Sequence, residues 1–95
     1  MSLVTTIEAD LITAMKAGDA DKLSVLRMTK SALKNKSIEL GHELSDDEAI
    51  AVIGREMKQR RDAEAEFRAG NRPELADKEA AEAAMLAEYL PAQLS

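Results

Sequence analysis

Nowhere in this 95-residue chain do apolar and polar residues alternate with a period of two, the mark of a half-buried strand. Apolar residues recur instead at spacings of three and four, and glycine or proline closes each run. The pattern predicts an all-α fold of four helices. Thr5-Thr6-Ile7-Glu8 fits a capping box, with Thr5 as N-cap and Glu8 reaching back. Ile7, Leu11 and Met15, with Leu3, Val4 and Ala14, form the inner face of helix 1, and Gly18 ends it. Asp19 or Asp21 caps helix 2, where Leu23, Leu26, Leu33 and Leu40 trace an apolar line that Val25, Met28 and Ala32 widen. Gly41 ends that helix. Ser45-Asp46-Asp47-Glu48 is the clearest start signal, a second capping box with further acids in the first turn.

Helix 3 is expected to run to Ala69, before Gly70, roughly 36 Å at about 1.5 Å per residue. Ile50, Ile53, Met57, Ala63 and Phe67 mark its inner side, and its middle is almost wholly charged. Helices 2 and 3 are expected to form a long antiparallel hairpin. Asn71 is the expected N-cap of helix 4, Pro73 sits in its first turn, and Pro91 stops it. Leu75, Leu86, Tyr89 and Leu90 are its large apolar groups; Glu79, Glu82 and Glu88 are expected to face solvent.

Charge narrows the partners. The formal net charge is −5, yet residues 1–61 hold ten acids and ten bases, whereas residues 62–95 hold eight acids and three bases. The whole molecule repels nucleic acid at long range, so any such contact needs a local patch. There is no cysteine, which removes disulfides, thiolate catalysis and Cys-ligated zinc and suits a reducing compartment. No apolar run approaches the roughly 20 residues of a membrane span, and the N-terminus carries acids where a targeting segment carries bases. A soluble, cytoplasmic protein with no membrane partner is expected. Only Phe67 and Tyr89 are aromatic, and much of the apolar content is alanine, so the core is shallow.

Two basic clusters are the candidate sites. Arg27, Lys30 and Lys34 lie at spacings of three and four on helix 2; Arg55, Lys58 and Arg61, with Arg60 beside them, lie on helix 3. Arginine offers a planar fork to phosphate or carboxylate, and lysine a mobile point charge. Each row reads either as a docking surface or as a solvated face. In the second cluster, pairing with Glu56, Asp62 and Glu64 along the helix is the simpler reading. His42 stands alone in a loop without companion ligands, and Asp46, Asp47 and Glu48 serve as caps more simply than as a cation site. Ser31 and Lys34 have Ser-x-x-Lys spacing but none of its companion motifs, and no glycine-rich phosphate loop occurs. Gly54, inside helix 3, permits a close helix approach or is simply tolerated. No nucleophile–base pair, metal set or cofactor motif emerges, so no catalytic residue and no cofactor is expected.

The segments LSVLRM, SALKN, KQRRD and YLP, in this order and at this spacing, resemble the YqeY-like family. That family is related to the tail domain of the B subunit of the Asp-tRNA/Glu-tRNA amidotransferase. The resemblance covers nearly the whole chain. It implies an all-helical domain over residues 1–95, followed in the family by a three-helix domain after the YLP segment. This chain ends at Ser95, where that domain would begin, so it is expected to be absent. The resemblance further implies an association with tRNA-dependent amidotransferase systems, with tRNA or a tRNA-charging protein as partner. It also carries the label of a glutamine-dependent carbon–nitrogen ligase, for which these residues supply no chemistry. A protein-interaction scaffold, self-associating through helix 4, is the third reading.

Overall fold

In the computed structural model, which describes residues 2–91, four α-helices follow one another: α1 Leu3–Ala17, α2 Ala20–Leu40, α3 Asp46–Ala69 and α4 Pro73–Ala87. No strand occurs among the described residues, so the fold is all-α. The chain forms two compact units, Met1–Val52 and Ile53–Ser95, and α3 contributes to both.

Local chemistry sets the helix boundaries. The capping box at Ser45 is reciprocal. The Ser45 N–H donates to Glu48 Oε1 at 2.9 Å, and the Glu48 N–H donates to Ser45 Oγ at 3.2 Å. The resulting hydrogen bond from the Ser45 backbone is the main reason the Glu48 carboxyl is held below its ordinary range. Asp19 caps α2, accepting from the Lys22 N–H at 3.2 Å. Gly18 and Gly41 close α1 and α2 at φ of 71° and 75°, a left-handed conformation that glycine adopts without a Cβ penalty.

Three expected boundaries move. Helix α1 starts at Leu3, because Ser2 rather than Thr5 is its N-cap. Ser2 Oγ accepts from the Thr5 N–H at 3.1 Å, while Thr5 Oγ1 donates to the Ser2 carbonyl at 2.8 Å. Asn71 does not cap α4. At φ 59° it closes α3 instead, with Asn71 N–H bonded to the Arg68 carbonyl and Arg72 N–H to the Phe67 carbonyl, the paired bonds of a Schellman ending. Arg72 then occupies the N-cap position of α4 without a side-chain cap, and Pro73 follows. Finally, α4 ends at Ala87, short of Pro91. The Tyr89 and Leu90 N–H groups bond three residues back, to Leu86 and Ala87, and tighten the last turn.

In the first unit, Ile7, Leu11 and Ala14 of α1 and Val25, Leu26, Thr29 and Leu33 of α2 are buried, together with Ala49 from the start of α3. Met15 and Met28 are not inner-face residues; each is about half exposed. Thr29 takes a core place that its type did not suggest. Its hydroxyl donates to the Val25 carbonyl at 2.8 Å, which removes the cost of burying an unbonded polar group. Asp46 Oδ1 also accepts from the Leu3 N–H at 2.9 Å, so the first turn of α3 satisfies a free amide of α1.

In the second unit Ile53, Ala76, Ala83 and Leu86 are buried, and so is Glu82. Arg68 fastens the end of α3 to the start of α4. Its guanidinium donates to Glu64 through Nε and Nη2, and Nη2 also reaches Asp77 Oδ1 at 3.1 Å. A Cβ at Gly54 would meet nothing within 4 Å outside its own helix backbone, so this glycine is tolerated rather than required by close packing.

Candidate functional site

Helix α2 presents Arg27, Lys30 and Lys34 as exposed side chains, because they lie outside the buried stripe of Val25, Leu26, Thr29 and Leu33, with Lys30 at its border. Lys30 and Lys34 border a groove of about 510 Å³ in the first unit. Its floor is apolar, from Val4 and Ile7 of α1, Leu33 and Ile38 of α2, and Leu44 of the following loop. Glu8 and Glu43 supply negative charge to the same lining. Lys30 Nζ stands 3.8 Å from Glu8 Oε2, with both side chains about half exposed. Among the described residues Arg27 and Lys34 make no ion pair. The arrangement can hold an anionic group at Lys34, next to a small apolar surface that ends at the highly exposed Ile38; Arg27, two turns earlier, lies outside the groove lining.

The other candidate cations, Arg55, Lys58 and Arg61, are exposed on the part of α3 that belongs to the second unit. Lys58 is engaged along its own helix, 3.0 Å from Asp62 Oδ2. His42 stays at the surface, with Nδ1 2.7 Å from the Glu43 carbonyl oxygen and Nε2 3.4 Å from Glu48. Among the described residues no group of three or more His, Cys, Asp or Glu side chains is placed to hold a metal ion, and no helix is long and apolar enough to cross a membrane.

The constellation that sequence reasoning missed lies in the second unit. Arg60 is withdrawn from the basic row. Its side chain is only 15% exposed, with Nη1 4.0 Å from Glu79 Oε2 and Nε 3.8 Å from Glu82 Oε1. Glu79 and Glu82 therefore do not face solvent as expected. Burial pushes the Glu82 carboxyl above its ordinary range, and the neighbouring Glu79 charge adds to this; Arg60 opposes both. A helical wheel carried the signal. At 100° per residue, position 79 falls between Ala83 and Leu86, on the inner stripe of α4.

Fold and site together define a small all-α protein with a cation-bordered groove on one helix pair and a half-buried charge cluster on the other. The chain belongs to the YqeY-like family: the family described as Yqey-like protein matches residues 4–95. Among curated proteins it is similar to "Altered inheritance of mitochondria protein 41, mitochondrial" of Saccharomyces cerevisiae (strain YJM789). The two are 33% identical over 88 residues, which is 92% of this chain and 48% of the relative. The protein of the same name from Clavispora lusitaniae is 30% identical over 89 residues, 94% of this chain and 52% of the relative. The chain thus spans about half the length of the curated relatives it matches.

Proposed function

We propose that this chain is a non-catalytic helical module of tRNA-dependent amidotransferase-type systems, and that the Arg27–Lys30–Lys34 row of α2 docks on tRNA phosphates. The observation that carries this reading is the exposure of all three cations on one helix at spacings of three and four, of which, among the described residues, Lys30 alone is in an ion pair. A cation row of this kind binds RNA through counterion release. With about three phosphates engaged, affinity falls as roughly the second to third power of salt concentration. Titration of labelled tRNA at low and moderate salt tests it. The expected result is salt-sensitive binding that the triple change of Arg27, Lys30 and Lys34 to alanine removes. Absence of binding at low salt, or undiminished binding by the triple variant, overturns it.

A protein partner is the second reading, favoured by the apolar groove and by the exposure of Ile38 (69%) and Leu40 (39%) at the end of α2. A tRNA-charging protein would meet this surface with apolar side chains and a carboxylate for Lys34. Co-sedimentation with a purified amidotransferase separates this reading from the first: Ile38→Glu abolishes a protein contact and leaves a phosphate contact much less affected. Self-association through α4 draws less support: Ala76, Ala83 and Leu86 are already buried, and among the described residues Leu75 is the one large apolar side chain that α4 exposes.

The carbon–nitrogen ligase reading would require glutamine-dependent amidation of mischarged tRNA by the purified chain, and none is expected. The cytoplasm is the proposed compartment, consistent with a cysteine-free sequence. The fungal relatives are named as mitochondrial proteins, and fractionation of cells carrying the tagged chain decides between the two compartments.

A further inference from the structure

Two carboxyl groups and one guanidinium share a confined space in the second unit, and their charges do not balance. Glu79 and Glu82 stand one turn apart on α4 and both approach Arg60 of α3. Glu82 as a residue is 8% exposed, and the Glu79 and Arg60 side chains are 18% and 15% exposed. Neither ion pair is short enough to be a hydrogen bond. Glu79 Oε2 is buried and, among the described residues, accepts no hydrogen bond. With both acids ionised the cluster carries a net negative charge that one distant arginine compensates incompletely. The other charges bearing on Glu82 are few. Lys78 of its own helix attracts it weakly. On α3, Glu56 and Glu64 flank Arg60 at four-residue spacing, and Glu64 is held by Arg68.

We infer that Glu79 and Glu82 form a one-proton latch over Arg60: one proton shared between the two carboxyl groups, with the guanidinium, seats α4 on α3, and loss of that proton loosens α4. A shared proton turns a repulsive pair into a donor and an acceptor and leaves one negative charge for one arginine. Burial and, next to it, the Glu79 charge favour the protonated form of Glu82. Its carboxyl is therefore raised in the folded chain relative to the unfolded one. The folded state then binds more protons than the unfolded state across the interval from the ordinary glutamate range up to the raised value. The latch is complete below that interval and is lost as pH rises through it.

The test uses the intact chain. Carboxyl-carbon NMR should show Glu82 titrating above the ordinary glutamate range. Hydrogen exchange at α4 amides, corrected for intrinsic rates, should show the opening constant rising with pH by at most about tenfold per pH unit, the limit for one proton. Amides of α1 should show no such trend. Glu82→Gln should flatten the α4 trend, and Glu79→Gln should bring the Glu82 titration down toward the ordinary glutamate range. Titration of Glu82 within the ordinary glutamate range in the unmodified chain overturns the latch, whatever the variants do. So does an E82Q chain that keeps the native pH trend.

Discussion

Lys30 of α2 and Arg60 of α3 each meet acids of a neighbouring helix at nearly the same distance, 3.8 Å for Lys30 to Glu8 and 3.8–4.0 Å for Arg60 to Glu82 and Glu79. Their surroundings differ. Lys30 and Glu8 are about half in solvent, whereas Arg60 and its acids are at most 18% exposed. Water screens the first pair and supplies the hydrogen bonds that the pair lacks. In the second, desolvation raises the cost of each charge and the value of each compensation together. Equal distances thus describe a surface available to a partner in one unit and an internal fastening in the other.

The largest effect should come from removing the cation of the buried cluster. Arg60→Met keeps much of the aliphatic volume but leaves two carboxyl groups facing each other. Breaking a fully buried pair costs about 3–5 kcal/mol; with partial exposure a loss of about 2–3 kcal/mol near neutral pH is expected in urea denaturation. The loss should shrink in acid, where the carboxyl groups accept protons. A loss below about 0.5 kcal/mol at neutral pH would place Arg60 with the solvated cations and remove the contrast.

Next in size is the junction at which α3 begins. Ser45→Ala removes the hydroxyl half of the reciprocal capping box and should cost about 1 kcal/mol. The other half, Glu48, has its carboxyl lowered in the folded state, chiefly by the Ser45 backbone bond. That contribution is present above the ordinary glutamate range and is lost as pH falls through the lowered value, the opposite sign to Glu82. Urea midpoints measured from weakly acidic to neutral pH should therefore fall with acid for Glu82→Gln, in which the capping box remains and the latch does not. A midpoint that rises with acid in that variant would contradict the assignment.

How much of this was legible before the structure depends on the range of the interaction that decides each feature. The ends of α1, α2 and α3 were readable at Gly18, Gly41 and Ser45-Glu48, because caps and left-handed endings involve residues within one turn. Asn71 was misassigned because asparagine suits both an N-cap and a left-handed helix ending, and only the bonds back to Phe67 and Arg68 select the second. The Arg27–Lys30–Lys34 row was legible because these positions fall outside the apolar stripe that Leu26 and Leu33 mark. Burial of Glu82 was not. The inner stripe of α4 is alanine-rich, so few large apolar side chains mark it, and residue type does not show that position 82 lies beside Leu86 on that stripe. Thr29 was missed for a related reason: its hydroxyl is satisfied within its own helix, so residue type alone says little about its burial.

The smallest expected effect is the sharpest test of the contrast. A double-mutant cycle on Lys30→Ala and Glu8→Ala should return a coupling of about 0.2–0.5 kcal/mol at low salt, near zero at about 1 M salt, because screening acts on an exposed pair. The same cycle on Arg60→Met and Glu82→Gln should return about 1 kcal/mol or more and change little with salt, since the intervening medium is protein. If the two couplings match in size and salt response, distance governs both pairs and burial adds nothing. If they part as expected, Lys30 can exchange Glu8 for an incoming phosphate at little cost to the fold, while Arg60 cannot be released without loosening α4. Availability of a cation to a partner then follows from how little its existing pair contributes, and the α2 row meets that condition.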